Sequence, residues 1–168
     1  LERLRGIVAD MLFLARAEQG ERAQNPVQVS LAQEMGKILE FFEMVLDDAG
    51  MQVQLHGDAQ VLAQTSLLRR ALSNLLQNAI QHSSAGGPIQ VQMETDNDGM
   101  ALLAISNPSA AVPEDALDHL FDRFYRVDGA RANSGESHGL GLAIVKAVAL
   151  MHGGAVQARW ADGRMKVC

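Results

Sequence analysis

The sequence predicts an α/β sandwich of the α+β kind, a sheet covered on one face by helices, preceded by one long amphipathic helix. Three observations predict it. Helix-period and strand-period segments intermix without regular βαβ alternation. The helical segments carry an apolar arc on one side only. Two of the strand segments are joined by a tight turn, which makes them an antiparallel pair. With 168 residues, 48% of them hydrophobic, the chain can bury a core of ordinary size.

Leu4, Ile7, Val8, Met11, Leu12, Leu14 and Ala15 follow helical spacing, and Gly20 stops that helix before a polar stretch, ERAQNPVQ. A second helix opens at Ser30, where Ser-x-x-Gln has the form of a capping box. Leu31, Met35, Ile38, Phe42, Val45 and Ala49 mark its expected stripe, and Gly50 its end. MQVQLHG alternates as a half-buried strand does, with VLA at 61–63 as a short partner. A helix carrying LSNLLQNAIQH (72–82) follows. PIQVQMET, DNDG and MALLAIS then read as strand, turn and strand. PEDALDHLF is a short helix with Pro113 near its start, and 126–138 is irregular. A long helix over 139–152 leads through Gly153 and Gly154 to a strand through Trp160. The organisation this gives is a helix at 1–21, a linker at 22–28 and one domain at 29–168.

Composition narrows the function. A net charge of −6 argues against general binding to nucleic acid or anionic membrane, so any phosphate site must be local. Tryptophan occurs once, which makes stacking on exposed bases a poor explanation of the surface. Cys168 is the only cysteine, excluding an internal disulfide and a cysteine-based zinc site, as suits a reducing compartment. No apolar run reaches the length of a membrane span.

Two stretches carry chemistry. In LSNLLQNAIQH, Leu68, Leu72, Leu75, Leu76 and Ala79 share one arc while Asn74, Asn78 and Gln81 share another. Asparagine is a middling helix former, so the pair at i, i+4 is locally unfavourable; it is either a solvated face or a set of amides in use. A hard cation that bridges phosphate oxygens takes oxygen ligands and keeps several waters, so one amide oxygen, that of Asn78, is an adequate protein ligand. In GESHGLGLAIVK (135–146), Gly139 and Gly141 flank Leu140 where a helix begins, leaving backbone N–H groups open to a polyphosphate. A flexible, glycine-rich helix entry is the alternative. A Walker-type loop is excluded, because no Gly-Lys-Ser/Thr follows.

Taken in order, these segments resemble the ATP-binding catalytic domain of two-component sensor histidine kinases, in the superfamily that includes DNA gyrase and mismatch-repair ATPases. LSNLLQNAIQH resembles the family's asparagine box, LFDRFYRVD its phenylalanine box and GESHGLGLAIVK its second glycine box. DMLFLARAEQG resembles the second helix of the dimerisation and histidine-phosphotransfer region, which gyrase-type ATPases lack. The wording is similar to that of sensors of copper, silver and other heavy metals. The resemblance implies a mixed sheet and ATP with Mg²⁺ as the bound pair. It makes Asn78 the metal ligand, Asn74 a nearby phosphate or cation contact, and His82 a neighbour of adenine. Arg126 and Arg131, within a nucleotide-ordered lid, would reach the phosphates, a task that suits the planar guanidinium fork. Phe121 and Phe124 read as core or lid-anchoring residues; His56, His119 and His152 read as surface or capping residues.

The match departs from the family at its first glycine box. The family pattern is Asp-x-Gly-x-Gly, whereas ISNPSAAV has Asn107, Ser109 and Ala111 there. The Asn107 oxygen can still accept from the adenine amino group, without charge assistance, so Asn107→Asp is expected to tighten ATP by about 1 kcal/mol. Gln81 stands where similar kinases have a cation, and DGRMKVC resembles only the start of the usual last strand, leaving the closing sheet edge expected to be incomplete.

The expected activity is transfer of the ATP γ-phosphoryl group to a histidine on an upstream helix, since none of the five histidines has the acceptor's flanking sequence. Expected partners are that helix, a second copy in a homodimer, and a response-regulator receiver. The chain would be the cytoplasmic portion of an inner-membrane sensor, touching membrane only through other segments. The rival readings are a degenerate nucleotide-binding scaffold and a gyrase-like ATPase.

Overall fold

The computed structural model describes residues 1–85, 87–126 and 139–168. In chain order the elements are α1 (Glu2–Glu18), β1 (Val27–Ser30), α2 (Leu31–Phe41), α3 (Glu43–Ala49), β2 (Val53–Gly57), β3 (Gln60–Ala63), α4 (Thr65–His82), β4 (Ile89–Thr95), β5 (Ala101–Pro108), α5 (Glu114–His119), α6 (Gly141–Met151), β6 (Ala158–Ala161) and β7 (Arg164–Val167). A mixed sheet of five strands runs in the order β2-β4-β5-β7-β6; β2 is parallel to β4 and the remaining pairs are antiparallel. Register decides its faces. Val91 opposite Ile105 and Ile105 opposite Val167 line the inner face, while Gln90, Ser106 and Lys166 line the outer one. The inner side chains join the buried residues of α4 and α6 in one cluster, so the expected sandwich with helices on one sheet face is the observed one.

Several local expectations need correction. The helix expected to run from Ser30 to Gly50 is broken at Phe42, whose amide bonds back to Ile38 and Leu39 before α3 starts. The break rotates the stripe: Leu46 is buried, whereas Val45 is 48% exposed. The Ser30 cap does form, its Oγ accepting from Gln33 N–H while donating to Asp58 at 2.8 Å. VLA pairs not with MQVQLHG but with β1, a strand hidden in the polar stretch, to give a separate two-stranded sheet. The last helix starts at Gly141, because Gly139 has φ +72° and cannot be helical. The final strand is no incomplete edge. β7 lies inside the sheet between β5 and β6, with four paired residues on each side.

In α1 the apolar residues divide between two faces. Ile7, Met11, Phe13, Leu14 and Ala17 pack against the core, whereas Leu4, Val8 and Leu12 stay 50–61% exposed. Met11 therefore turns inward, away from the exposed stripe. Among the described residues no helix is long and apolar enough to cross a membrane.

Candidate nucleotide-binding site

The site is built on the second half of α4. Burial of Leu72, Leu75, Leu76 and Ala79 fixes the rotation of this helix, and that rotation sets Asn74 and Asn78 together on a half-buried neighbouring arc. Their surroundings differ. Asn74 Nδ2 donates to the Arg70 carbonyl at 3.0 Å, and Asn74 Oδ1 lies against the start of α6, where a Cβ on Gly141 would sit 3.4 Å away. The Asn78 side chain makes no hydrogen bond among the described residues, so its oxygen remains available.

Helix α6 begins beside these amides. Leu140 is 1% exposed and stands at the N-cap, and the first amides of the helix have no intrahelical acceptor. Such an end attracts anions through its N–H groups and its dipole. Just before it, Gly139 presses on the backbone of Phe124: Phe124 N–H donates to the Gly139 carbonyl at 2.9 Å, and both residues have positive φ, +61° and +72°. Phe124 thus anchors through its main chain. Its side chain is 53% exposed and is not part of the core, whereas Phe121 packs against it. Residues 127–138, with Arg131, the first residues of GESHGLGLAIVK and most of the expected lid, lie outside the described residues.

The far wall is the end of β5. Asn107 is 3% exposed, and its Nδ2 donates to the carbonyls of His82 (3.2 Å) and Pro108 (3.1 Å). Both partners are acceptors, so the atom facing them must be the amide nitrogen; this orients the oxygen the other way. Ser84 N–H also donates to Pro108 O at 2.8 Å, which ties the chain leaving α4 to β5. His82 is solvent-accessible, yet partial burial of its ring and, second, the nearby Arg126 charge hold its imidazole below the usual histidine value. Three local links frame the site: Asn107 bonds to the His82 carbonyl, Phe124 to the Gly139 carbonyl, and Asn74 Oδ1 lies beside Gly141.

Two predictions arise from these contacts. Asn107→Asp would exchange a donor to two backbone carbonyls for an oxygen facing them, which residue type alone does not reveal. The variant should lose on the order of 1–3 kcal/mol of stability, read as a lower denaturation midpoint, separately from any gain in ATP affinity. For His82 the folded state resists protonation. Stability is then full above the unfolded value and is lost as pH falls below it toward the depressed folded value. Melting curves at pH 7.5 and 5.5 should differ less for His82→Gln than for the parent.

Some contributors were invisible in the sequence. Arg164, on the outer face of β7, donates to Pro88 O (2.7 Å) and Ser106 O (3.1 Å) and so braces the segment after α4. A lone arginine in a strand carries no signal of this. His152 joins the two helices of the site, its Nε2 accepting from Gln64 N–H at 3.1 Å and its Nδ1 donating to Val148 O at 2.8 Å. Among the described residues no cluster of three histidine, cysteine or acidic side chains could hold a metal. The remaining donor set fits a hydrated hard cation on a polyphosphate, namely an unengaged amide oxygen at Asn78 on the helix whose Asn74 adjoins the start of α6.

A recessed helix start, an unengaged amide and an oriented buried amide are features that suit the binding of a nucleotide phosphate. The chain matches the family described as histidine kinase-, DNA gyrase B-, and HSP90-like ATPase over residues 63–167, and it belongs to that family. Within the family it is a catalytic domain of the sensor histidine kinase type. It is 42% identical over 157 residues to the sensor histidine kinase CusS of Escherichia coli O157:H7, which covers 93% of this chain and 32% of the relative. It is 39% identical over 158 residues to the probable sensor protein PcoS of Escherichia coli, covering 94% and 34%. It is 35% identical over 153 residues to the sensor protein CzcS of Cupriavidus metallidurans, covering 91% and 32%. The chain spans about a third of the length of these relatives. Among solved structures, the mycobacterial sensor histidine kinase MprB superposes with a TM-score of 0.75 at 31% identity, covering 84% of this chain and 94% of that one. The Acinetobacter baumannii histidine kinase AdeS gives 0.81 at 24%, covering 99% and 76%, and shares the fold.

Proposed function

We propose that this domain binds Mg-ATP at the site around the end of α4 and transfers the γ-phosphoryl group to a histidine on a separate helix. The observation that carries the reading is the unengaged Asn78 amide one helical turn from the Asn74 contact with the start of α6. In this reading Asn78 holds Mg²⁺ through its amide oxygen, and the metal, when bound, neutralises phosphate charge. The first-turn amides after Gly139, Leu140 and Gly141 receive the phosphates, aided by Arg126 and Arg131. Asn107 and His82 border the adenine. Positioning and charge neutralisation account for most of such a transfer, so a site with no nucleophile of its own suffices.

We assign 1–21 to the second helix of the phosphotransfer region, 22–28 to a linker and 29–168 to the kinase domain. The exposed stripe of Leu4, Val8 and Leu12 supports a paired helix that brings the acceptor histidine to the γ-phosphate. The whole protein would be a homodimeric, membrane-anchored sensor of the heavy-metal group, with this domain in the cytoplasm, passing the phosphoryl group to an aspartate of a response-regulator receiver.

Incubation with labelled ATP tests this reading. A polypeptide carrying the upstream histidine helix should gain acid-labile label in the presence of this chain. The exposed stripe of α1 should matter to that transfer, so Val8→Asp should suppress it. Label on the chain itself would contradict the assignment of the acceptor.

A further inference from the structure

A polar contact between α1 and α4 lies away from the residues assigned to the nucleotide. Arg70 Nη2 donates to Asp10 Oδ1 at 2.5 Å, and the Arg70 guanidinium carbon stands 4.4 Å from the centroid of the Phe13 ring. Asp10 and Phe13 are three residues apart, hence neighbours on one face of α1. They grip the guanidinium by charge on one side and by its flat surface on the other. The paired side chains are 33% and 27% exposed, so solvent screens them only in part.

The same residue acts at the other end through its main chain. Its carbonyl accepts from Asn74 Nδ2, and Asn74 Oδ1 lies beside Gly141 at the start of α6. We propose that Arg70 is a positioning residue for the nucleotide site, and that Asp10 sets it, so that seating α1 on α4 and binding Mg-ATP favour each other. The route runs from Asp10 to Arg70 by the ion pair and from Arg70 to Asn74 by the carbonyl hydrogen bond, and Asn74 Oδ1 lies beside Gly141.

A second tether reaches the same place independently. Glu18, at the end of α1, forms an ion pair with Arg123 Nη2 without hydrogen-bond geometry, its own side chain 68% exposed. Arg123 adjoins Phe124, whose N–H holds the Gly139 carbonyl. The two routes end on the two glycines that flank Leu140. Sequence separation hides both, since Asp10 and Arg70 are 60 residues apart. Linkage requires the effect to be reciprocal: if seated α1 tightens Mg-ATP, then Mg-ATP holds α1 in its seat.

The inference rests on the proposed nucleotide site, and the test separates the two. Calorimetric titration of the full chain with Mg-ATP is paired with hydrogen exchange along α1. Asp10→Asn and Arg70→Met should each weaken Mg-ATP about three- to tenfold, and the double variant should be no weaker than either single one, as one shared interaction requires. Exchange in α1 should slow when Mg-ATP saturates the parent and stay unchanged in Asp10→Asn. That second readout is one which a merely structural role would not move. Should Arg70→Met not fold, Arg70→Lys, which keeps the charge but loses the fork, should also weaken binding. A parent that binds Mg-ATP while Asp10→Asn binds within twofold of it, or α1 exchange indifferent to Mg-ATP, overturns the inference alone. A parent that binds no Mg-ATP overturns the functional reading and the inference with it.

Discussion

Asn78→Ala should weaken Mg-ATP binding by roughly tenfold to a hundredfold, the loss of about 1.5–3 kcal/mol expected when a ligand to a charged group is deleted. The same change should leave the fold intact. Asn78 is half-buried in the middle of α4 and makes no side-chain hydrogen bond among the described residues, and alanine is the better helix former. Affinity and stability should therefore separate, with ATP binding falling while the melting temperature holds or rises. Asn74→Ala is the instructive comparison: Asn74 bonds to the Arg70 carbonyl and lies beside Gly141, so that variant should lose stability as well as affinity. Calorimetric titration beside thermal unfolding measures both quantities. Equal Mg-ATP affinity in Asn78→Ala and the parent would remove Asn78 from the metal site.

Gly139→Ala should produce the largest loss of stability of any single methyl addition in the site. Two costs combine. The residue sits at φ +72°, a conformation that costs an L-residue about 1–2 kcal/mol, and its new Cβ would stand 2.8 Å from Phe124 Cα and 2.9 Å from Phe124 C. These are backbone atoms and cannot swing aside, so the 2.9 Å hydrogen bond between Phe124 and Gly139 must yield. Gly153→Ala provides the control, since Gly153 has φ +75° but nothing within 4 Å of the place its methyl would occupy. Denaturant titration should show the smaller, conformational cost at 153 and a clearly greater one at 139. Nucleotide affinity should fall only in the second case, because only Gly139 adjoins the start of α6.

The contrast between local and non-local information explains what was legible in the sequence. The hairpin of β4 and β5 and the asparagine arc of α4 were readable because period and turn chemistry are local properties. The capping of Ser30 was readable for the same reason, although its second partner, Asp58, was not. The break at Phe42 carries no Gly or Pro, and nothing in its neighbourhood marks it. The partner of β3 could not be read at all, since Val29 opposite Val61 is a choice made across an intervening helix pair. Asn107 shows how far residue type reaches: it gave an acceptor for adenine but not the two carbonyls that use the amide nitrogen. The roles of Arg70, Arg123 and Arg164 carry no local signal, because their partners, Asp10, Glu18 and the Pro88 and Ser106 carbonyls, come from distant segments.

The central claim is that this chain holds Mg-ATP on the second half of α4 and the start of α6. A calorimetric titration of the chain with ATP, run with Mg²⁺ and again with the metal chelated, tests it most directly. The account predicts saturable binding of one nucleotide per chain that depends on Mg²⁺ and is lost in Asn78→Ala. Absence of saturable binding at millimolar ATP with Mg²⁺ present, or binding that neither chelation nor Asn78→Ala weakens, would contradict it.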